Sequence, residues 1–492
     1  MIRRDFCKNS IALTAAAVGG GSLATLAAKA ASVEKSVKGP EITRHVSEFI
    51  VKTKFSDIPQ NITELGKKSI LDGFGLALAG SISEIAPLVR QYLKLLNFAD
   101  GKASVIGTNL KVPPRFAAFA NGIAIHSDDY DDTAMIAVNI VHATVPVLPP
   151  AFALCESGHR SGKELLTAFH VGVEAGCKIA ESISPRHFND GYHPTGTIGS
   201  LGSAAACAKV LGLDARQTSY ALGVAAAEAG GLRDNFGSMT KPFQAGHAAE
   251  NGSLAADLAQ LGWTSGEDIL EAPRGFFRAE GGGFDPAAIM NRLGNPWIFA
   301  SPGVLLKRFP CGTIQQPAMD EILRLVQQEN IKAADVEKVD VGGDRADVET
   351  LFHHRPTTAL EGKFSMEFCL SILLLERKAT LAQFNDATVQ RADIQAMIRR
   401  VNYFVSPEVE NKMGSNVLKI TMKDGRVFAD HGRLAKGSPE NPMSFDDVAE
   451  KFRGCAEFAK WPSQKTESII TLVRSLENLS DVGQLTEALT VR

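Results

Sequence analysis

Four aspartates stand within five positions of the segment HSDDYDDT, which spans residues 126–133. They are Asp128, Asp129, Asp131 and Asp132. Such a cluster of carboxylates can bind a metal ion, take part in proton transfer, or lie in a solvated loop. The formal net charge of the chain is only −3, so the bulk composition does not explain this local concentration of negative charge. Residues elsewhere in the chain have to decide among the three alternatives.

Magnesium binding is the first alternative. Asp128, Asp129 and Asp132 match the pattern DDxxD, with which all-helical prenyl-diphosphate enzymes gather Mg²⁺ on one face of a helix. Magnesium requires several oxygen ligands in addition to substrate phosphates, and the sequence has no second acidic motif to supply them. The aromatic content of 7% is also low for a pocket that must surround a carbocation. These observations disfavour a magnesium site, which stays open as the less favoured alternative, and we expect no metal.

Two histidines and two lysines further along supply the groups that proton transfer needs. Each has an ordinary alternative explanation, as a structural histidine or a solvated lysine. Together they provide acid/base groups and two cations, which suits removal of a proton next to a carboxylate because fixed cations stabilise the charge that develops there. The residues are His142 before a proline-containing helix start, His193 in GYHPTGTIGS, Lys241 in NFGSMTKPFQAGHAAENG, and Lys307 in KRFPCGTIQQP.

The elements that must position these residues fall into three stretches. Residues 41–302 repeat apolar residues at helical spacing, as in ITELGKKSILDGFGLALAG. Residues 303–440 contain the alternating segment VEKVDVGG, the helix KFSMEFCLSILLLERK, and a hairpin, NVLKITMKDGRVFAD, that turns at Asp424-Gly425. Residues 441–492 return to helical periodicity. We expect a mainly α fold: a large all-helical domain, formed by the N- and C-terminal parts, is interrupted by a smaller α+β lid domain.

Small residues dominate the apolar faces of the predicted helices. Gly196, Gly199 and Gly202 recur at steps of three in HPTGTIGSLGSAAACAKVLGL. This spacing differs from that of a dinucleotide-binding loop, and no predicted strand precedes it. We expect these glycines to permit close approach between helices, or between the backbone and a ligand.

The cysteines indicate neither a disulfide framework nor a zinc site. Apart from Cys7, they are widely scattered and form no CxxC pair. Several lie in apolar stretches rich in alanine and glycine, where cysteine behaves as a small buried hydrophobic residue. They are Cys155, Cys177, Cys207, Cys311, Cys369 and Cys455.

The first thirty residues have the features of an export signal. Arg3 and Arg4 precede a weakly apolar run rich in alanine and glycine, and the segment ends in AKAAS, so we expect cleavage after Ala30. The paired arginines predict the twin-arginine route and a periplasmic location, or a cytoplasmic location if the leader is not used. A disordered or helical N-terminal tail is the alternative.

The composition excludes several classes of partner. The 492 residues are 45% hydrophobic and 22% charged, as in an ordinary globular protein. The predicted leader holds four basic residues and one acidic residue, so the rest of the chain has 48 basic and 54 acidic residues, a net charge of −6. This balance gives no reason to expect nucleic acid or an anionic membrane as partner. No apolar run after the leader is long and clean enough to span a bilayer.

Seven segments in a fixed order resemble motifs of the MmgE/PrpD family. The resemblance covers residues 42–460 and implies a helical domain with a smaller α+β lid, a homodimer, and chemistry that needs no metal. Known members include 2-methylcitrate dehydratase, cis-aconitate decarboxylase and iminodisuccinate epimerase. The segments are HSDDYDDT, the His142 segment with VLP, HPTGTIGSLGSAAACAKVLGL, NFGSMTKPFQAGHAA, KRFPC, GKFSMEF and KGSPENPMS.

The resemblance implies a role for each candidate residue. The family's active-site Asp and Thr fall on Asp129 and Thr133, which on a helix would face one pocket because they are four residues apart. Thr133 would bond a substrate oxygen. The family's histidines fall on His142, the expected proton-transfer group, and His193, which with Asp129 would orient or share the proton. Its carboxylate-binding lysines fall on Lys241 and Lys307.

Three positions depart from the family pattern. A histidine that follows the lid lysine by five positions in cis-aconitate decarboxylase is Gly312 here, Gln316 replaces a frequent family histidine, and a lid tyrosine falls on Phe368. The lid side of the acid/base machinery is therefore expected to be altered, which argues against decarboxylation of cis-aconitate. The remaining aspartates are expected to serve in capping, helix-start electrostatics and pairing with cations: Asp128, Asp131 and Asp132.

The leading hypothesis is a cofactor-independent lyase or isomerase, similar to 2-methylcitrate dehydratase. It would remove a proton α to a carboxylate of a small di- or tricarboxylic acid. Two alternatives stay open: an exported carboxylate-binding protein that has lost the chemistry, and an epimerase of an imino- or hydroxy-dicarboxylate. The expected partners are the acid and a second copy of the chain.

Overall fold

The computed structural model describes five stretches of the chain, and the predicted leader lies outside them. From Glu41 onward the chain forms one compact unit. Within the described stretches, we find no helix that is both long enough and apolar enough to cross a membrane. The stretches are residues 41–136, 139–183, 185–412, 414–432 and 434–491.

The described residues before 303, together with those after 440, form a part that we call the helical body. Two short antiparallel hairpins interrupt it, so the body is not all-helical as expected: β1 (Ala103–Ser104) with β2 (Lys111–Val112), and β3 (Ala134–Ile136) with β4 (Asn139–Val141). Its helices before residue 303 are α1 (Ile42–Lys52), α2 (Gln60–Gly80), α3 (Ala86–Leu95), α4 (Pro114–His126), α5 (Leu148–Ser157), α6 (Gly162–Ser182), α7 (Arg186–Asn189), α8 (Pro194–Leu211), α9 (Ala215–Glu228), α10 (Thr240–Gln260) and α11 (Phe276–Gly281).

The described residues from 303 to 440 form a part that we call the lid. Its four strands lie in the order β6 (Val401–Val405), β5 (Val336–Gly343), β7 (Asn416–Met422) and β8 (Val427–Gly432), with β5 parallel to β6 and the other neighbours antiparallel. The expected strand VEKVDVGG and the expected hairpin are confirmed, and Gly425 in the hairpin turn has a φ of +86°. The elements are α12 (Gln316–Gln328), β5 (Val336–Gly343), α13 (Arg345–Thr350), α14 (Ala359–Gly362), α15 (Met366–Glu376), α16 (Asp386–Val389), α17 (Ala392–Ile398), β6 (Val401–Val405), β7 (Asn416–Met422) and β8 (Val427–Gly432).

The C-terminal helices return to the helical body. They are α18 (Phe445–Phe458), α19 (Ser463–Arg474) and α20 (Gly483–Leu489). Phe452 and Val473 share one buried core with Phe74 of α2. The lid has a second core, which includes Met319, Leu370 and Ile420. The expectation of a mainly α fold with an inserted α+β part is confirmed, and the numerical domain boundaries stay a prediction.

Glycines set the distance between the central helices of the body. A Cβ added to Gly202 of α8 would lie 3.0 Å from the carbonyl oxygen of Gly172 in α6. A Cβ added to Gly199 would lie 2.9 Å from Pro146, and one added to Gly196 would lie 2.5 Å from the carbonyl oxygen of Gly230. The close approach predicted for this glycine row is confirmed. It fixes α8, whose N-cap residue is His193.

Candidate active site

A loop, rather than a helix, carries the clustered aspartates. Helix α4 ends at His126, and Asp129 has a φ of +50°, in the left-handed region that a helix excludes. Thr133 lies beyond the loop and pairs with Leu305 as an isolated β-bridge. The prediction that Asp129 and Thr133 lie one turn apart on a helix is therefore wrong, because the chain leaves the helix three residues before Asp129.

Three lysines from distant segments hold this loop by its backbone, and two of them, Lys307 and Lys363, are buried. Lys363 Nζ donates to the carbonyl oxygen of Ser127 at 2.9 Å, and Lys307 Nζ donates to that of Asp129 at 2.7 Å. Lys451 Nζ donates to that of Tyr130 at 2.8 Å. Ammonium groups stabilise carbonyls strongly where water is excluded. These contacts fix the unusual backbone of Asp129 from both the lid and the body.

Asp129 lies between the two lysines predicted to bind carboxylates. Its Oδ1 is 2.5 Å from Lys241 Nζ and 3.2 Å from Lys307 Nζ. Burial acts to raise the pKa of Asp129, but the two ammonium groups outweigh it and hold this pKa well below the ordinary value. Burial lowers the pKa of Lys241, and Asp129 opposes that shift. The structure thus brings Asp129, Lys241 and Lys307 together as one charged group.

His142 and His126 lie on either side of Asp131. His142 Nδ1 lies 2.9 Å from Asp131 Oδ2 but is not aligned for a hydrogen bond. His126 Nδ1 lies 2.9 Å from both carboxylate oxygens of Asp131. His126 Nε2 accepts from Lys241 Nζ at 3.1 Å, so its proton resides on Nδ1. Burial lowers the pKa of His142 to about 3, although Asp131 acts to raise it. His142 is therefore a neutral imidazole at pH 7, and a proton on Nδ1 leaves Nε2 as the base.

His193 is oriented by a single glutamine. His193 Nδ1 lies 2.6 Å from Gln244 Oε1, and Gln244 Nε2 donates to the carbonyl of Leu232 at 3.1 Å. Because Gln244 presents its oxygen to the ring, His193 carries its proton on Nδ1 and has a free lone pair on Nε2. Burial, together with the charge of Lys241, holds the pKa of His193 well below its usual value.

The remaining residues of the aspartate segment have structural partners. Asp132 accepts hydrogen bonds from the backbone and hydroxyl of Thr144, and Asp128 pairs with Lys363 at 3.1 Å. Pairing with a cation is thus confirmed for Asp128. The expected capping and helix-start roles are wrong, because no helix begins in this loop and Asp131 orients histidines instead. Thr133 is fully buried, and its hydroxyl accepts from that of Thr313 at 3.2 Å, behind the surface that a ligand would contact.

A cleft of about 40 Å³ between the body and the lid brings the candidate groups together. Asp129, His142, His193, Lys241 and Lys307 line it, whereas Thr133 does not. The other lining residues are uncharged. They are Ile140, Phe188, Phe236, Gly312, Thr313, Ile314, Thr350, Leu351 and Phe364.

The acidic cluster also has the donor atoms of a metal site. Ligand atoms of His126, Asp129, Asp131 and His142 all lie within 4.8 Å of one another. A cation at this point would face the ammonium groups of Lys241 and Lys307, which already contact Asp129, and it would break the contact between His126 and Asp131. These donors fit proton transfer better than cation binding. The expectation of no metal stays a prediction.

The three positions that depart from the family pattern lie in different surroundings. Gly312 lines the cleft, and its N–H donates to the carbonyl of Lys363 at 3.0 Å. Gln316 Oε1 accepts from the backbone of Arg308 and Phe309, so this side chain shapes the turn after Lys307. Phe368 is fully buried against Phe384 in the lid core. Of the three positions, only Gly312 lines the cleft. A direct effect on the acid/base groups is therefore expected from Gly312 and not from Phe368.

Sequence reasoning missed four residues that position the site: His126, Asp131, Gln244 and Lys363. Lys363 lies in GKFSMEF and His126 opens HSDDYDDT, so both stood inside recognised motifs. A polar residue at a mostly apolar helix position was the available signal for Gln244. The sequence contained no signal for Asp131, because only the folded loop shows which of the four clustered aspartates contacts the histidines.

A helical body, an α+β lid and a buried histidine–lysine cleft between them define a class of two-domain proteins with an acid/base site. Residues 44–288 match the MmgE/PrpD N-terminal domain, and residues 309–478 match the MmgE/PrpD C-terminal domain. The chain belongs to the MmgE/PrpD family.

Similar proteins span most of the chain. Cis-aconitate decarboxylase of Homo sapiens is 31% identical over 464 residues, which cover 91% of this chain and 94% of that protein. Cis-aconitate decarboxylase of Aspergillus terreus is 28% identical over 479 residues, covering 91% and 96%. 2-Methylcitrate dehydratase of Escherichia coli (strain K12) is 25% identical over 352 residues, covering 66% and 71%.

Proposed function

We propose that the chain is a lyase-type enzyme that removes a proton α to a carboxylate of a small carboxylic acid without a cofactor. The observation that carries this proposal is the pair of neutral, buried histidines beside two lysines in one cleft. The relatives named decarboxylase and dehydratase are both lyases, which supports the same broad class of reaction here.

The lysines stabilise the charge that proton removal creates. A substrate carboxylate that reaches the cleft shares Lys241 and Lys307 with Asp129. When the adjacent carbon loses its proton, the electron pair of the C–H bond moves toward that carboxylate, and the two ammonium groups stabilise the resulting dianion. Water is excluded around these buried groups, so their electrostatic effect is larger than in solution.

His142 is the base in this scheme. Its Nε2 accepts the proton, and the imidazolium that forms is stabilised by Asp131 next to Nδ1. Asp131 therefore acts as the orienting carboxylate of a histidine base, and its negative charge raises the proton affinity of His142. His193, with its free Nε2, is the second group that can accept or return a proton.

The outcome after proton removal separates the variants of this proposal. Loss of a β-hydroxyl gives dehydration, which we favour; return of the proton to the other face gives epimerisation. Decarboxylation is a further candidate, because the most similar relatives described above carry that name. A carboxylate-binding protein without chemistry is the non-enzymatic alternative.

Export and dimer formation are additional parts of the proposal. The leader motif in residues 1–30 supports export through the twin-arginine route. An exposed apolar surface, with Leu88 52% and Tyr92 45% exposed on α3 and Phe243 43% exposed on α10, supports contact with a second copy. Mass spectrometry of the exported protein and light scattering of the wild type and a Leu88→Asp, Tyr92→Asp double variant test these two points.

A screen of small di- and tricarboxylic acids in D₂O tests the proposed chemistry. The expected result is incorporation of deuterium next to a carboxylate, detected by NMR and mass spectrometry, together with loss of water, loss of CO₂ or no net change. EDTA treatment of the enzyme should leave the exchange unchanged. Tight binding of an acid without any exchange would favour the non-enzymatic alternative.

A further inference from the structure

Arg233 lies beside the cleft, on a body segment that is paired with the segment of His193. The backbone N–H of Arg233 donates to the carbonyl of Gly191 at 2.9 Å, and the N–H of His193 donates to the carbonyl of Gly231 at 3.0 Å. Phe236, three residues after Arg233, lines the cleft. The backbone of Arg233 is therefore held close to residues that a substrate would contact.

The guanidinium group of Arg233 reaches from the body to the lid. Its Nη1 donates to the carbonyl of Phe188 in the body at 3.0 Å, and its Cζ lies 3.8 Å from the centre of the Phe188 ring. Its Nη2 donates to the hydroxyl of Thr350 in the lid at 2.8 Å. Phe188 and Thr350 both line the cleft. Arg233 therefore contacts the cleft wall on both sides.

One edge of the guanidinium group is only half used. The Nε atom of Arg233 is buried, and no hydrogen-bond partner for it is found among the described residues. Nε and Nη2 occupy the same edge of the group, where a carboxylate can accept two parallel hydrogen bonds. The hydroxyl of Thr350 supplies this edge with a single neutral acceptor. The edge that faces Thr350 therefore has the geometry of a carboxylate site.

The charge of Arg233 also lacks a close partner. None of the carboxylates in the described stretches forms an ion pair with it, and Asp234 and Glu349 act on it through their charge without a hydrogen bond. Burial lowers the pKa of Arg233, but a guanidinium group keeps its charge at neutral pH. A partly buried cation without an ion pair favours an anion beside it, because an anion replaces the lost hydration.

The size of the cleft shows how this edge becomes available. A space of about 40 Å³ holds no more than a few water molecules. An organic acid therefore enters only when the lid wall moves away from the body. Thr350 moves with the lid, whereas Arg233 stays on the body because Nη1 is bonded to Phe188. This movement separates Nη2 from Thr350 and leaves both Nε and Nη2 free to donate.

We propose that Arg233 binds a carboxylate of the substrate, remote from Lys241 and Lys307, through Nε and Nη2. The inference rests on the proposed function, because the remote carboxylate belongs to the same acid that the two lysines hold. It makes Arg233 a specificity-determining residue. Acids that carry a carboxylate on a substituent, away from the one at the lysines, are then preferred over acids with an uncharged substituent of the same shape.

Citrate and 2-isobutylmalate test this inference, because each is malate with a substituent of similar shape. The substituent is a carboxymethyl group in citrate and an isobutyl group in 2-isobutylmalate. We expect wild-type enzyme to bind citrate more tightly. Arg233→Gln should weaken citrate binding by about 10- to 100-fold and leave binding of 2-isobutylmalate nearly unchanged. Calorimetric titration measures the four dissociation constants.

Two results would overturn the inference. One is wild-type enzyme that binds citrate no more tightly than 2-isobutylmalate. The other is an Arg233→Gln variant that loses affinity equally for both acids, because this would indicate a general effect on the contact between body and lid.

Three further variants make the test specific. Thr350→Val breaks the same bond between body and lid but keeps the guanidinium group, so the preference for citrate should be retained. Arg233→Lys keeps the charge without the two parallel donors and should retain only part of the preference. Arg216→Gln removes an exposed arginine of the body and should change neither binding constant. Thermal denaturation checks folding, and Arg233→Lys carries the test if Arg233→Gln does not fold.

The outcomes separate this inference from the general proposal. Loss of the citrate preference in Arg233→Gln, without deuterium exchange in any acid, would sustain the carboxylate site and contradict the chemistry. Exchange with the same preference in wild type and in Arg233→Gln would sustain the chemistry and contradict the carboxylate site. Exchange that favours citrate in wild type and loses this preference in Arg233→Gln supports both.

Discussion

Three histidines beside the cleft, His126, His142 and His193, are buried and have lowered pKa values. Burial is the largest cause for each, because a charged imidazole loses its hydration. Hydrogen bonds to Asp131 and Gln244 fix one ring nitrogen of His126 and of His193, and His142 Nδ1 lies 2.9 Å from Asp131. The result is a set of neutral bases with defined orientation, available at neutral pH without prior deprotonation.

Asp131 is predicted to be essential for turnover rather than for binding. In Asp131→Asn the amide cannot stabilise an imidazolium, and its NH₂ group favours the wrong tautomer of one histidine. We expect kcat to fall by about 10²- to 10⁴-fold, with a small change in KM, for whichever acid shows exchange. Asp132→Asn, in the same segment but bonded to Thr144, is the control and should keep near-normal kcat. Equal losses in both variants would contradict the role of Asp131.

Lys363 is predicted to position the loop of Asp129. It is buried in the lid and bonds both Ser127 and Asp128 of the body, so Lys363→Met leaves the Asp128 carboxylate without its cation. We expect a loss of about 3 kcal/mol in the free energy of unfolding and at least a 10-fold loss of kcat. Lys378→Met, at an exposed lysine of the same lid, should change stability by less than about 0.5 kcal/mol. Unaltered kcat in a folded Lys363→Met enzyme would refute the positioning role.

Sequence patterns were more successful in identifying the residues that a ligand would contact than in identifying the residues that position them. Asp129, His142, His193, Lys241 and Lys307 all line the cleft, because each stood in a motif that marked it. Thr133 was misplaced, since a left-handed residue inside an aspartate-rich segment has no signature unless it is glycine. The partners of Asp131 and Lys363 are distant in sequence, and only the folded chain brings them together.

Helices α4 and α10 carry site residues and cross at a glycine contact. His126 ends α4, and Lys241 and Gln244 lie in the first turns of α10. A Cβ added to Gly246 of α10 would lie 2.6 Å from the carbonyl oxygen of Phe119 and 2.5 Å from Ile123 in α4. The separation of the two helices therefore sets the separation of the histidine from the lysine.

Gly246→Ala is predicted to damage both stability and activity. The added methyl group forces α10 away from α4, at a cost of about 1–3 kcal/mol in the free energy of unfolding. Lys241 moves with α10, so we also expect a reduced kcat. Gly454→Ala in α18 is the matched control, because a Cβ there meets nothing within 4 Å; it should be neutral or stabilising by up to about 1 kcal/mol. Denaturant unfolding and exchange assays provide the two measurements.

Element types were predicted more reliably than the irregular connections. Helix α18 lies in the stretch of residues 441–492 that was predicted to be helical, and a capping box at Ser444 and Asp447 marks its start. In the lid, the alternation of apolar residues predicted β5 and the hairpin β7–β8, whereas β6 was not predicted. The short hairpins β1–β2 and β3–β4 were missed, because strands of two or three residues are too short to show a period.

Buried acids across the molecule respond to pH in the opposite sense to the histidines. Burial raises the pKa of Asp132, Glu174 and Asp347 to about 7 in each case. An acid whose pKa is raised on folding binds more protons in the folded state between its unfolded and folded pKa values. Its contribution to stability is present at low pH and is lost as pH rises through that interval.

Asp132→Asn is predicted to reveal this effect. The variant cannot ionise, so its free energy of unfolding relative to wild type should increase from pH 4 to pH 7, by up to about 1.4 kcal/mol per pH unit. Above pH 7 the difference should stay constant, because Asp132 is then charged in both states of the wild type. Urea unfolding at several pH values measures it. A difference that does not vary with pH would show that Asp132 titrates normally.

The cleft joins two parts of the molecule that have separate hydrophobic cores. Thr313, Phe364 and Leu351 come from the lid, whereas Asp129 and His193 come from the body. Lys307 and Lys363 cross between them and bond the same loop. The site is complete only when both parts are in place, which explains why its residues are spread over most of the sequence.

Deuterium exchange in D₂O is the most direct test of proton removal by this cleft. Wild-type enzyme is incubated with a panel of small carboxylic acids, including citrate, malate and 2-isobutylmalate, beside His142→Asn and Lys241→Met variants whose folding has been checked. We predict that wild-type enzyme incorporates deuterium next to a carboxylate of at least one acid and that both variants lose at least 99% of this rate, about 100-fold. Equal exchange by wild type and by both variants would contradict the account.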